Sequence, residues 1–127
     1  MRKKVLITGI MGQDGAYLAK FLLSKKYKVY GAYRRNSNYE NNRLRKLGIE
    51  NKVELIDMEV NEFTSVNCTI NKIKPDEIYN LAAMSFVGSS FDQPLYTINT
   101  NFLALVNMLE VIKHSKKKNI IISSFNV

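Results

Sequence analysis

Glycines recur every third residue in Thr8-Gly9-Ile10-Met11-Gly12-Gln13-Asp14-Gly15, between a short apolar run and an amphipathic stretch. That setting, a strand before and a helix after, is what a dinucleotide-binding loop requires, although the spacing is not the G-x-G-x-x-G order. Gly9 permits a tight turn off the strand, Gly12 lets the backbone approach a pyrophosphate, and Gly15 lets the helix pack close. N–H groups at the helix start then meet anionic phosphates. At the end of the next apolar run, where NAD enzymes carry a carboxylate for the ribose hydroxyls, this chain has Arg34-Arg35-Asn36-Ser37. A carboxylate repels a 2′-phosphate, whereas a guanidinium fork pairs with it, so the expected cofactor is NADP.

The remaining chemistry-bearing residues point nowhere else. Cys68 is the single cysteine, with no Cys or His at metal-ligand spacing, so no metal is expected and a small buried apolar role is. His114, the single histidine, sits among lysines at a helix end and is expected to face solvent. The formal charge of +8 raises the question of nucleic acid. The cations are spread along the chain, however: Arg2-Lys3-Lys4, Arg34-Arg35, Arg43-Arg45-Lys46 and Lys116-Lys117-Lys118. The last run complements a helix C-terminus, and aromatic residues do not interleave with it, so no nucleic-acid partner is expected.

The loop needs elements to hold it, and the pattern supplies them. Apolar runs of strand length appear at Lys4 to Thr8, Lys28 to Tyr33, Lys52 to Asp57, Glu77 to Leu81 and Asn119 to Ser123. Helical patterns separate them. In the first, Leu18, Phe21 and Leu22 share a face; in a later one Ile98, Phe102, Leu105, Leu109 and Ile112 do, flanked by a second row of Leu95, Leu103 and Val106. A helix apolar on more than one side must be covered on more than one side, so self-association into a homo-oligomer is expected. Strands alternating with helices predict an α/β fold, a Rossmann-like doubly wound parallel sheet with right-handed crossovers.

At 127 residues the chain has room for one domain, residues 1–127, and no repeat or linker divides it. Its 46% hydrophobic composition is that of a globular protein. Apolar runs fall short of a membrane span, and the N-terminal one is too short for a signal-peptide core, which predicts a cytoplasmic protein without a membrane partner.

With Gly12-Gln13-Asp14-Gly15 after Thr8-Gly9, and Arg34-Arg35 following the second strand, the chain resembles the GDP-mannose 4,6-dehydratase family of extended short-chain dehydrogenase/reductases. The resemblance continues through Asp76-Glu77-Ile78-Tyr79-Asn80-Leu81-Ala82-Ala83-Met84-Ser85, Ser90-Phe91 and Pro94, and runs from about Val5 to the end. It implies that Asp57 and Met58 border the adenine and that Leu81, Ala82, Ala83, Met84 and Ser85 lie along the ribose and nicotinamide. It implies too that Tyr96 faces the cofactor and that the later helix joins a four-helix dimer contact.

For chemistry the resemblance implies a nucleotide-sugar substrate, a GDP-hexose, whose hydroxyl is hydrogen-bonded by Ser124. Similar dehydratases carry a Glu two residues further on as acid/base for removing water; here the residue is Asn126, and an amide cannot exchange a proton at physiological pH. The family's Tyr-x-x-x-Lys would lie beyond Val127, as would the C-terminal sugar-nucleotide domain, so the sheet is expected to stop after about its fifth strand and the 127-residue chain to be inactive alone. A nucleotide-sugar epimerase or reductase, which needs no Glu at position 126, and a non-catalytic NADP-binding remnant are the alternatives.

Overall fold

The computed structural model describes residues 1–35, 43–82, 94–95, 99–117 and 119–124. Asn36, Ser37, Ala83, Met84, Ser85, Tyr96, Ile98 and Asn126 therefore lie outside the described residues.

The elements run β1 (Lys4–Thr8), α1 (Gln13–Ser24), β2 (Lys28–Tyr33), α2 (Arg43–Lys46), β3 (Val53–Asp57), α3 (Phe63–Ile73), β4 (Glu77–Asn80), α4 (Ala104–His114) and β5 (Ile121–Ser124). All pairings are parallel and the order is β3-β2-β1-β4-β5. The chain winds outward from β1 to β3, then returns to the other side of β1 for β4 and β5. This reversal leaves a crevice at the carboxyl ends of β1 and β4, where open α/β sheets bind ligands.

Strand alternation divides the core into two layers. Val5 and Ile7 of β1 pack with Ala16, Ala19 and Leu22 of α1 and Leu44 of α2; Leu6, between them, packs with Val66, Ile70 and Ile73 of α3 and Met108 and Val111 of α4. Helices thus cover both faces, as expected of a doubly wound sheet.

The helix faces differ from the sequence expectation in an instructive way. On α1 the sheet-facing residues are Gly15, Ala16, Ala19 and Leu22, and Phe21 is exposed. A helix held close to its sheet turns small side chains inward. On α4 the buried face is Ala104, Met108 and Val111, leaving Val106 and Leu109 exposed, together with Phe102 and Leu103 in the π-helical turn Asn99–Leu103 that leads into it. Cys68 is also exposed, because Val66, Thr69, Ile70 and Ile73 form the buried stripe of α3 and position 68 falls on the opposite side.

Many of the cations that look scattered in sequence gather in space. Lys4 and Lys28 open strands; Lys25, Lys26, Lys52, Lys74, Lys116 and Lys117 lie in the segments that lead from helices into strands. All are therefore at the amino end of the parallel sheet. An open hollow of about 540 Å³ there is lined by Arg2, Lys3, Lys4, Lys74, Asp76, Lys116 and Lys117. Asp76 organises it, accepting from the Lys4 N–H at 2.8 Å and from Lys117 Nζ at 2.7 Å. These donors, Lys117 first, hold the Asp76 carboxyl below the usual carboxylate range. Nearby, buried Glu77 accepts from the hydroxyls of Tyr27 at 2.9 Å and Tyr79 at 3.1 Å. Among the described residues no helix is long and apolar enough to cross a membrane.

Candidate dinucleotide site

The glycine loop leaves the carboxyl end of β1 and turns back at once. Gly9 has φ +71°, in the left-handed region, and a Cβ there would stand 2.7 Å from the carbonyl oxygen of Leu81, against the segment that follows β4. Gly15, one turn into α1, packs its Cα on the backbone of Gly9 and Ile10, where a Cβ could not fit. The Gly12 N–H closes the turn on Gly9 O at 3.0 Å. Gly12 is also the N-cap of α1 and makes no side-chain cap. The first amides of a helix have no acceptor four residues back, so the N–H groups of Gln13, Asp14 and Gly15 form an uncapped donor set at the positive end of the helix.

Individual loop residues divide by role. Gln13 and Asp14 are exposed and Met11 is half-buried. Ile10 is fully buried, its side chain pressed on Gly31 of β2, so only its main chain faces the crevice side. Met58 is likewise a core side chain, packed with Tyr30 and Val66, with its N–H on Tyr33 O at 3.0 Å. Asp57 is exposed at the end of β3 and its Oδ2 accepts from Arg35 Nε at 3.1 Å. Arg34 and Arg35 are both exposed at the end of β2.

One contributor escaped sequence reasoning. Arg43, at the start of α2, donates from Nη1 to the carbonyl oxygen of Met11 at 2.9 Å, tying α2 to the glycine loop. Gln13, Ala16, Tyr17, Arg43, Lys46 and Leu47 line a notch of about 200 Å³ beside that contact. Nothing in the spacing marks Arg43, which stands over thirty residues from its partner and reads as one more surface cation.

On the other side of the crevice, three strand ends are joined by side chains. Thr8 closes β1, Asn80 closes β4 and Ser124 closes β5; Thr8 and Asn80 are fully buried. The Thr8 hydroxyl donates to Asn80 Oδ1 at 2.6 Å, and Asn80 Nδ2 donates to Ser124 Oγ at 3.1 Å. Leu81 and Ala82, both half-buried, direct their N–H groups at Thr8 Oγ1, each at 3.1 Å.

The donors present fit an anionic dinucleotide. An uncapped helix start and two exposed guanidinium groups lie at adjacent strand ends, and glycine keeps the loop free of side chains where backbone must be approached. Among the described residues no group of three or more His, Cys, Asp or Glu could hold a metal ion.

Known proteins agree on both fold and family. The solved structure of Thermus thermophilus UDP-glucose 4-epimerase in complex with NAD superposes with a TM-score of 0.74 at 21% identity, over 87% of this chain and 33% of that one. The epimerase Mth375 of Methanothermobacter thermautotrophicus superposes with a TM-score of 0.76 at 24% identity, over 91% and 33%. These similarities establish the Rossmann-like architecture. In sequence, GDP-mannose 4,6 dehydratase of Cricetulus griseus is 42% identical over 118 residues, 88% of this chain and 32% of the relative. GDP-mannose 4,6-dehydratase of Vibrio cholerae is 37% identical over 118 residues, 89% and 32%. The chain thus spans about a third of the length of the curated relatives it matches. Residues 6–126 match the family model described as GDP-mannose 4,6 dehydratase, and the chain belongs to that family.

Proposed function

We propose that this chain is the cofactor-binding part of an NADP-dependent GDP-mannose 4,6-dehydratase, a lyase of nucleotide-sugar metabolism. The observation that carries the reading is the uncapped start of α1 beside the exposed Arg34 and Arg35, in a chain of this family. In this reading the N–H groups of α1 hold the pyrophosphate and the arginines hold the 2′-phosphate. A bound nicotinamide would supply the acceptor, and then the donor, of the hydride exchanged with the sugar. Ser124 binds the oxygen at C4 of the hexose and orients it. Asp57 and the main chain at Met58 border the adenine; Leu81 to Ser85 and Tyr96 border the ribose and nicotinamide. The overall change is oxidation at C4, loss of water across C5 and C6, and reduction at C6, so the cofactor ends as it began. The exposed stripe of α4 serves self-association, and the enzyme works in the cytoplasm.

Asn126 favours a second reading. A nucleotide-sugar epimerase or reductase needs no carboxylate at that position, and an amide supplies no acid/base for elimination. The experiment is to supply the complete polypeptide with GDP-mannose and NADP⁺, following cofactor absorbance and identifying the product by mass spectrometry. A 4-keto-6-deoxy product supports the dehydratase. Reduced cofactor that accumulates with little product, and an Asn126→Glu variant that raises product by a large part of roughly 10²–10⁴-fold, would locate the defect at position 126. An epimerised GDP-hexose would support the second reading.

A further inference from the structure

The Ser124 hydroxyl has a direction imposed on it from two strands away. A hydroxyl carries one proton and two acceptor sites. At Thr8 both acceptor sites face main-chain N–H groups whose polarity is fixed by covalent structure, that of Ala82 and that of Leu81, the latter shared with the Thr8 carbonyl oxygen at 3.3 Å. The Thr8 proton therefore goes to Asn80, at 2.6 Å, and the atom that receives it must be the amide oxygen. This orients the amide, because its oxygen and nitrogen ends are told apart by their partners. Its NH₂ end then faces β5 and donates to Ser124 Oγ at 3.1 Å. Among the described residues Ser124 is only an acceptor, which leaves its proton for the crevice.

The geometry points to Asn80 as a positioning residue that, with Thr8, makes Ser124 a hydrogen-bond donor toward its ligand. The group so selected is an acceptor: the oxygen of a sugar ketone, or the alkoxide that precedes it, in preference to a hydroxyl offering its own proton. The inference rests on the reading of Ser124 as a sugar-binding residue. Because Thr8 and Asn80 are both fully buried, the chain of bonds is held in a medium where hydrogen bonds are strong and reorientation is costly. A donor aimed at oxygen where negative charge develops acts more on the rate than on substrate affinity.

The test uses the complete polypeptide with GDP-mannose, reading the single-turnover rate of NADP⁺ reduction at saturation, KM, the cofactor Kd and the melting temperature. In Asn80→Asp the carboxylate accepts from both neighbours and draws the Ser124 proton inward. The rate falls about 10–100-fold, with KM and cofactor Kd within about threefold of the parent. Thr8→Val frees the amide to turn over and lowers the rate in the same way; Thr8→Ser, which keeps the hydroxyl, restores it. Should Asn80→Asp fail to fold, the Thr8 pair decides, together with hydrogen exchange of the Asn80 side-chain amide in the parent protein, where protection is expected. Exchange as fast as that of an exposed amide overturns the inference. So does a rate within about threefold in Asn80→Asp, or parallel loss of rate, KM, Kd and melting temperature, when Ser124→Ala alone abolishes turnover. Full activity of Ser124→Ala overturns the reading of Ser124 itself and the inference with it.

Discussion

Arg35 and Asp57 meet across the carboxyl ends of β2 and β3, guanidinium Nε to carboxylate Oδ2 at 3.1 Å, both in contact with solvent. An exposed pair of this kind contributes about 1 kcal/mol at most, so an incoming phosphate with more charge and more acceptor oxygens can take the guanidinium over. NADP is expected to bind more tightly than NAD by about 1.5–3 kcal/mol, and Arg34→Ala with Arg35→Ala is expected to erase the difference. Calorimetry with both cofactors decides this; equal affinities in the parent protein would refute the NADP assignment.

Gly9 and Gly48 share a left-handed backbone, φ +71° and +72°, but not a neighbourhood: a Cβ on Gly9 meets Leu81 O at 2.7 Å, while one on Gly48 meets nothing within 4 Å. Gly48→Ala is therefore expected to cost about 1 kcal/mol for the backbone alone, and Gly9→Ala on the order of 3 kcal/mol because the β4 end must also shift. Urea midpoints of the two variants check the difference, and equal losses would mean that the Leu81 contact is unimportant.

For Asp76 the sign of the pH dependence follows from its partners. Its folded-state carboxyl titrates below the usual range, chiefly through Lys117 and then the Lys4 N–H. The contribution is complete above the ordinary carboxylate pKa, near pH 4, and is lost as pH falls through the lower folded value. With the side chain partly exposed, about 1 kcal/mol is at stake. Asp76→Asn is expected to be less stable at pH 7 and to lose less than the parent between pH 5 and pH 2, as measured by denaturant midpoints. Parallel curves for the two proteins would remove Asp76 from the acid limb.

Val106 and Leu109 fall on the exposed side of α4, continued at helical spacing by Phe102 in the turn before it, with Leu103 beside them. An apolar stripe of this sort is expected to pair with a second copy. Light scattering should show self-association that Val106→Lys with Leu109→Lys abolishes without loss of secondary structure. A sharp monomer for the parent at high concentration would count against it.

The sequence made the sheet legible because each strand is a compact apolar run bounded by polar residues. Lys4 to Thr8 and Lys28 to Tyr33 coincide with β1 and β2, while the last run, Asn119 to Ser123, is displaced from Ile121–Ser124. Asn119 has φ +63°, so the backbone there is still turning and cannot pair. Helix faces were harder. Periodicity finds large apolar residues, yet the sheet selected Ala16, Ala19 and Ala104, which allow close approach, and left Phe21 and Phe102 outside. The glycine loop was readable since its residues are contiguous. Arg43 on Met11 and Asn80 on Ser124 were not, because each contact exists only after strand order has brought distant segments together.

The gathering of lysines at the segments that enter the strands has a practical side. Helices α1, α3 and α4 all finish there, and cations complement the partial negative charge of their last carbonyls. The same arrangement gives the described part of the molecule a positive pole turned away from the crevice, at the opposite strand ends. On a cation-exchange bead it should settle on that pole, leaving the crevice turned toward the mobile phase. Adsorbed protein would then keep the crevice open to a ligand, and ordinary salt, which screens exposed charges beyond about 8 Å, would release the protein without touching the fold.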